Sequence, residues 1–335
     1  ITLKHINSMI TPELELRLSE MAEGLVGSEI IKLAGEVKAK VAAGASIANL
    51  TIGDFNPTVF PIPKELKNNI IEAYEDGHTN YPMANGMIEL RTEVSKYINK
   101  RQHLDYDPEE FLIASGARPL IYAAYQTILD PEDTVVFPVP SWNNNHYTHL
   151  SNGHPVYIET SAEDNFMPTA ANLKPHISDA SLIALCSPLN PTGTVFKRET
   201  LSAICDLVLA ENKRRGPAKK PVYVLFDQIY WALTYGNTEH CDPVSLRPEM
   251  KNYTIFIDGL SKAFAATGVR VGWGFGPKKV IHKMKSVLSH IGAWAPKAEQ
   301  IGAASFLGNS VAVDTYLSEI KSKIELRLNG FYAAI

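Results

Sequence analysis

The stretch IFIDGLSKAFAATGVRVGWGFG (255–276) decides how this chain is read. An apolar run ends at Asp258, and a turn of small residues follows that holds Ser261 and Lys262. Arg270 then stands inside a second run, VRVGWGF (269–275). Strand, charged loop, strand is the pattern of a sheet whose ends carry chemistry. A lysine is ordinarily a solvated surface charge, because burying an ammonium is costly. At the mouth of a strand it gains another use, as an amine that can lose its proton and form an imine.

The same pattern extends outward. FLIAS (111–115), TVVFPV (134–139), PVYIE (155–159), SLIALC (181–186), VYVLFD (222–227) and YTIFID (253–258) are further short runs, most of them almost continuously apolar. Such runs are expected of strands buried on both faces. Between them lie amphipathic pieces such as ETLSAICDLVLAENKRR (199–215), with helical spacing. Strand–helix alternation predicts an α/β fold with a mainly parallel seven-stranded sheet and helices on both faces. In sheets of this kind ligands bind beyond the carboxyl ends of the strands. Segments 13–46 and 278–335 read as mostly helical. We expect them to lie outside the sheet, in a smaller domain built from both ends of the chain. The expected division is residues 1–50, an N-terminal arm with part of that small domain; 51–277, the large domain; and 278–335, the helical start of the C-terminal small domain.

Polar residues follow the strands where ligands are expected. LIALCSPLNPTGTVF (182–196) leads into Asn190-Pro191-Thr192-Gly193, which on its own is also a plain turn. VYVLFDQIYWALTYG (222–236) ends a strand on Asp227, with Tyr230 three residues on. A helix N-cap is the main bland reading of that carboxylate. In FLIASGARPLIYAAYQTIL (111–129), Ser115-Gly116-Ala117-Arg118 enter a helix expected to begin near Pro119. Free N–H groups at such a start suit a phosphate. Trp142, in VFPVPSWNNNHY (136–147), follows another strand, although a lone Trp is more often core.

Composition bounds the alternatives. The 335 residues suffice for more than one domain, and 45% hydrophobic with 20% charged residues is ordinary for a globular protein. With 32 basic and 36 acidic residues, the net charge of −4 gives no reason to expect a nucleic-acid partner. No stretch approaches the roughly 18 uninterrupted apolar residues of a membrane span. ITLKHINSMITPELELRLSEM (1–21) lacks the layout of a signal peptide. Cys186, Cys205 and Cys241 are few, odd in number and far apart. They read as reduced, buried thiols of a cytoplasmic protein, with no disulfide frame and no metal site. NKRRGPAKKP (212–221) reads as a solvated loop.

Taken in order, these motifs resemble those of the pyridoxal-phosphate (PLP) aminotransferases of class I/II, fold type I. TIGDFNPTVFPIP, TNYPMANGMIELR, PSWNNNHY, SPLNPTG, FDQIY and LSKAFAATGVRVGW carry the resemblance, which runs from about Gly53 to at least residue 310. It looks closest to the branch of bacterial aspartate aminotransferases. The resemblance implies that Lys262 holds PLP as a Schiff base and moves a proton as a base. Asp227 would pair with the pyridinium nitrogen, while Asn190 and Tyr230 would bond the ring's 3′-oxygen. Trp142 would stack on the ring. Gly116, Ala117 and Arg118 would offer N–H groups to the phosphate, joined by Ser261 and Arg270. Tyr81 would reach the phosphate of a partner subunit, making a homodimer with shared sites. Gly53, with Trp142 and Asn190, would face the substrate.

The implied reaction moves an amino group between an amino acid, with aspartate or glutamate as candidates, and a 2-oxo acid. A β-C–S lyase or an amino-acid decarboxylase could use the same residues, since fold does not fix reaction. A PLP-binding regulatory domain joined to a DNA-binding module is the non-enzymatic alternative, and no segment suggests the second part. Two positions depart from the family pattern. Gln228 stands where Glu is frequent, with no central role expected for it, and Gly259 stands where many members have Ser. The resemblance also implies that the arginine for the substrate's α-carboxylate lies in a small α/β layer beyond Ile335.

Overall fold

The computed structural model describes residues 17–27, 29–51 and 53–335. Readings that fall on residues 1–16, Ser28 and Ile52 lie outside the described residues. Two compact units divide at Asn49/Leu50. The described part of the first unit holds helices α1 (Glu20–Glu23) and α2 (Glu29–Ala42). Ser19 caps α1, its hydroxyl accepting from the Ala22 N–H at 3.3 Å.

The second unit, Leu50–Ile335, is built on seven strands: β1 (Phe111–Ala114), β2 (Thr134–Val139), β3 (His154–Glu159), β4 (Ala180–Cys186), β5 (Tyr223–Asp227), β6 (Thr254–Gly259) and β7 (Gly272–Phe275). They form one sheet in the order β1-β7-β6-β5-β4-β2-β3. Only β7 runs antiparallel, to β1 and β6, so the sheet is mainly parallel as its apolar runs imply. Its helices are α3 (Lys64–Glu75), α4 (Ile88–Gln102), α5 (Ala117–Ile128), α6 (Asn144–Leu150), α7 (Ala170–Leu173), α8 (Arg198–Arg215), α9 (Pro243–Leu246), α10 (Leu260–Ala263), α11 (Lys278–Ile291), α12 (Lys297–Gly308) and α13 (Ser310–Ala334).

The period-2 alternation of strand side chains sorts the core into two layers. Leu182 and Ala184 of β4, Leu225 of β5, and Ile255 and Ile257 of β6 face one cluster with Leu120 of α5 and Met284 of α11. Ile183, Leu185, Val224, Phe226 and Phe256 face the other, with Val94 of α4, Ile204 of α8 and Phe306 of α12. Both faces are covered, which is why the strands read as unbroken apolar runs. Edge strand β3 is the exception: it begins at His154, contains Pro155, and exposes Tyr157.

Several boundaries differ from the sequence reading. β7 is shorter than 269–275, because Arg270 is held at φ +61 and breaks the extended run. α5 begins at Ala117, two residues before Pro119, with Gly116 at the N-cap. Pro is tolerated at the third helical position because first-turn N–H groups have no intrahelical acceptor. The 212–221 stretch is more than a solvated loop. Asn212 exchanges two hydrogen bonds with the Val222 backbone, and Arg215 donates to the carbonyls of Ile177, Ala180 and Lys220. Helices α11 and α12 pack on α5 and on α3 and α4. Both helices belong to the unit Leu50–Ile335.

Candidate active site

Six parallel strands end on one side of the sheet, and five of them carry the site. Their carboxyl ends deliver Ser115 and Gly116 after β1, Trp142 after β2, Asn190 after β4, Asp227 at the end of β5, and Ser261 with Lys262 in α10 after β6. Lys262 Nζ donates to the Gly53 carbonyl at 2.9 Å and lies 5.8 Å from the centre of the Tyr230 ring. Burial lowers its pKa, and the charges of Arg118 and Arg270 lower it further, while Asp54 opposes them. The amine is therefore more often neutral than a surface lysine.

Asp227 lies opposite Ile257 on β6, four residues before Ser261. The residue is partly open to the cleft, but its carboxylate is closely surrounded by protein. Burial pushes it up to about 6, and the Ile229 N–H, which donates to Oδ1 at 3.0 Å, restrains the rise. No ion pair among the described residues engages it. Its turn-forming bond to Ile229 is not a helix cap. Tyr230 follows, and its hydroxyl accepts from Asn190 Nδ2 at 3.3 Å, so the two polar groups stand side by side. Burial raises the Tyr230 hydroxyl above its ordinary range, which keeps it protonated.

Gly116 has φ +90, and a Cβ there would run into the Arg270 guanidinium. A side chain is excluded on both counts. Arg270 donates to Thr267 O at 2.8 Å and Ser115 O at 3.0 Å, which lays the guanidinium along the start of α5. β7 reaches this point because Gly272 lacks a side chain; a Cβ there would meet the Gly116 carbonyl carbon at 2.5 Å. A helix N-terminus, Arg270, Arg118 and Lys262 thus gather positive potential in one place. Among the described residues, neither arginine is neutralised by an ion pair.

Trp142 is 39% exposed, unusual for a core tryptophan, and Arg118 lies 5.9 Å over its ring. Asn143, in a left-handed conformation, joins them. In the amide orientation that satisfies both donors, its oxygen accepts from Trp142 Nε1 at 2.9 Å and Arg118 at 3.3 Å. No motif marks this asparagine beyond its place in NNN. Thr267 Oγ1 donates to Asp54 Oδ1 at 2.8 Å, a second tie beside Lys262–Gly53 that sequence reasoning also missed. Among the described residues, Tyr81 makes no direct contact with these side chains. It is 83% exposed, and its ring contact is with Trp294 at 5.5 Å.

The residues suit PLP on chemical grounds. A buried carboxylate without a cation fits a pyridinium, and an uncompensated cationic helix start fits a phosphate. An exposed indole offers a ring face, and a lysine whose pKa is lowered by burial offers the amine. This sheet and cleft define the class of PLP-dependent transferases of fold type I. Within it, the chain belongs to the aminotransferase family of class I and II, whose sequence model matches residues 45–335.

It is 30% identical over 325 residues to the aspartate aminotransferase of Bacillus subtilis (strain 168), covering 96% of this chain and 78% of that one. To the aspartate aminotransferase of Geobacillus stearothermophilus it is 31% identical over 322 residues, covering 95% and 77%. The structure of Thermus thermophilus aspartate aminotransferase with maleate superposes with a TM-score of 0.86 at 27% identity, covering 95% and 81%. The protein is a PLP-dependent aminotransferase. Nothing in these likenesses supports the lyase or decarboxylase reading. Among the described residues, no helix is long and apolar enough to cross a membrane.

Proposed function

We propose that Lys262 carries the cofactor, that the residues around it are the catalytic set, and that the substrate is an acidic amino acid. The observation that carries this reading is the convergence of Lys262, Asp227, Asn190, Tyr230 and Arg270 on one sheet edge, with the Lys262 pKa lowered by burial.

Bound PLP supplies an electrophilic aldehyde and a ring that accepts electrons. The chain's own residues do the rest. Lys262 Nζ, its pKa lowered by burial, would hold the cofactor through its amine and, when free of it, would move the proton at the substrate's Cα. Asp227 holds a cationic ring nitrogen by charge and hydrogen bond. Asn190 and Tyr230 donate to an oxygen on the ring. The N–H groups of Gly116, Ala117 and Arg118 hold the phosphate with Ser261 and Arg270. Trp142, half exposed, would offer its indole face to the ring and shield it from water. Gly53 borders the place where the amino acid enters.

Two relatives are named aspartate aminotransferase, and the Thermus protein was solved with maleate, a dicarboxylate. Arg118, an exposed cation over Trp142 with no acidic partner among the described residues, suits a second carboxylate. These points favour aspartate or glutamate as donor. The exposed Tyr81 suits a homodimer in which each tyrosine reaches the other subunit's phosphate. We keep a small domain built from both chain ends, with residues 278–335 as its helical C-terminal part, as part of this reading. Three free cysteines favour a cytoplasmic location. Borohydride reduction and peptide mapping test the central assignment: the pyridoxyl group belongs on Lys262, and a label on another lysine refutes it.

A further inference from the structure

We infer that Asp258 is a positioning residue, which holds Asp227 and Tyr230 in register with Lys262 by bonding to both segments that carry them. The inference rests on Lys262 being the cofactor lysine.

Asp258 is the penultimate residue of β6 and only 1% exposed. A carboxyl in such a place is costly unless its lone pairs are used. Three donors use them. Oδ1 accepts from the Gly259 N–H at 2.7 Å. Oδ2 accepts from Trp231 Nε1 at 2.7 Å and, at the limit of bonding distance, from Gln228 Nε2 at 3.5 Å.

The partners give these bonds their meaning. Gln228 directly follows Asp227 and Trp231 directly follows Tyr230. Asp258 therefore grips both ends of the turn that presents the two groups. Gly259 is the N-cap of α10, the helix that carries Lys262, so the other oxygen fixes the start of that helix. One carboxyl thus ties the two halves of the site at their base.

The surroundings make the tie stiff. Gln228 is 0% exposed and donates also to Gln102 Oε1 at 3.1 Å, and its own backbone N–H bonds Ile257 O at 3.0 Å. The Trp231 ring packs edge-on against Tyr97, with centroids 5.8 Å apart. An amide at position 258 has one oxygen for donors on two sides, so one side must lose its acceptor. Trp231 Nε1 and Gln228 Nε2 meet the same oxygen, Asp258 Oδ2, so an amide that turns its nitrogen towards them faces two donors with a third.

The test uses the holoenzyme with Asp258→Asn and Trp231→Phe, the latter keeping an aromatic ring and losing only the donor. Four readouts are taken: thermal midpoint, borohydride label, pH titration of the visible cofactor band, and kcat with KM. Both variants are expected to fold with the label on Lys262. The pH midpoint of the cofactor band should move in the same direction in both. In Asp258→Asn, kcat should fall about tenfold or more with KM little changed, the pattern of displaced reacting groups. Should Asp258→Asn fail to fold, Trp231→Phe decides through the cofactor band. A folded variant with a wild-type band and wild-type kcat overturns the inference, even if it melts earlier. A wild-type label on another lysine refutes the Lys262 assignment and this inference together; a label on Lys262 with unaltered variants refutes this inference alone.

Discussion

Lys262 donates its amine proton to the carbonyl oxygen of Gly53 at 2.9 Å. The contact joins the exit of β6 to the 53–56 loop, and Asp54, bonded to Thr267 Oγ1, places a carboxylate near the same amine. Burial, Arg118 and Arg270 lower the lysine's pKa, and Asp54 alone raises it. In the apo-protein, Lys262 should therefore be acylated at lower pH than the surface lysines. Asp54→Asn should shift that profile further down, because the opposing charge is gone. Competitive acylation at a series of pH values, read by peptide mass, measures both. An upward shift in Asp54→Asn contradicts this balance of charges.

Asp227 is expected to govern turnover more than binding. Its carboxylate has no cation of its own among the described residues, so under the proposed assignment a cationic ring nitrogen would offset its burial. Asp227→Ala should retain PLP, held by the phosphate groups, and lose about 10²–10³-fold in kcat, as removal of a charge-stabilising group commonly does. Parallel measurement of PLP affinity and kcat checks it; a near-normal kcat removes Asp227 from the mechanism.

Tyr81 tests the shared site. Its ring stands on the surface beside Trp294. If it acts across a two-fold interface, a mixture of Tyr81→Phe and Lys262→Ala proteins makes heterodimers with one intact site. About one site in four should then be restored after random exchange. No gain over the separate proteins would mean that Tyr81 works in its own subunit or not at all.

Substrate class is tested by kcat/KM over a panel of amino donors. Aspartate or glutamate should lead, and Arg118→Gln should reduce the preference for them over neutral donors. The loss should be in KM more than kcat, as expected if Arg118 meets a carboxylate that does not react. A wild-type preference for phenylalanine or leucine ends this reading.

The site was legible to the extent that strands end where chemistry begins. Asp227 and Lys262 stand out because a charge that terminates an apolar run has few structural uses, and the sheet places both on one edge. What the sequence does not show is contact between distant segments. Asp258 reads as the end of a strand, and Gln228 as a minor departure from a pattern. Only the β5–β6 register brings them together with Trp231. The same holds for Asn143 between Arg118 and Trp142, which depends on one left-handed residue. The start of α5 escapes a reading centred on Pro119, because a proline is tolerated anywhere in a first turn. The charged 212–221 stretch reads as solvated because carbonyls at strand ends, the partners of Arg215, carry no sequence signature.

Stability should record the ionisation of Asp258. Burial pushes its pKa up to about 7, from an ordinary value of 3.8. A folded-state pKa above the unfolded one means that the folded protein binds the extra proton. Stability is thus complete below pH 3.8 and is lost as pH rises towards 7, by roughly 4 kcal/mol in all. Asp227, raised to about 6, acts in the same sense. His240, lowered to about 4 by burial, acts in the opposite sense over an overlapping window. The wild-type curve alone is therefore ambiguous, and the difference between proteins is the quantity to measure. Asp258→Asn loses hydrogen bonds at every pH but escapes the cost of ionisation. Relative to the wild-type apo-protein, it should gain stability steadily from about pH 4 to about pH 7, the window between the two pKa values. Urea unfolding at three or four pH values across that range measures the difference directly. Parallel curves for the two proteins would show that Asp258 ionises in the fold as easily as in the unfolded chain.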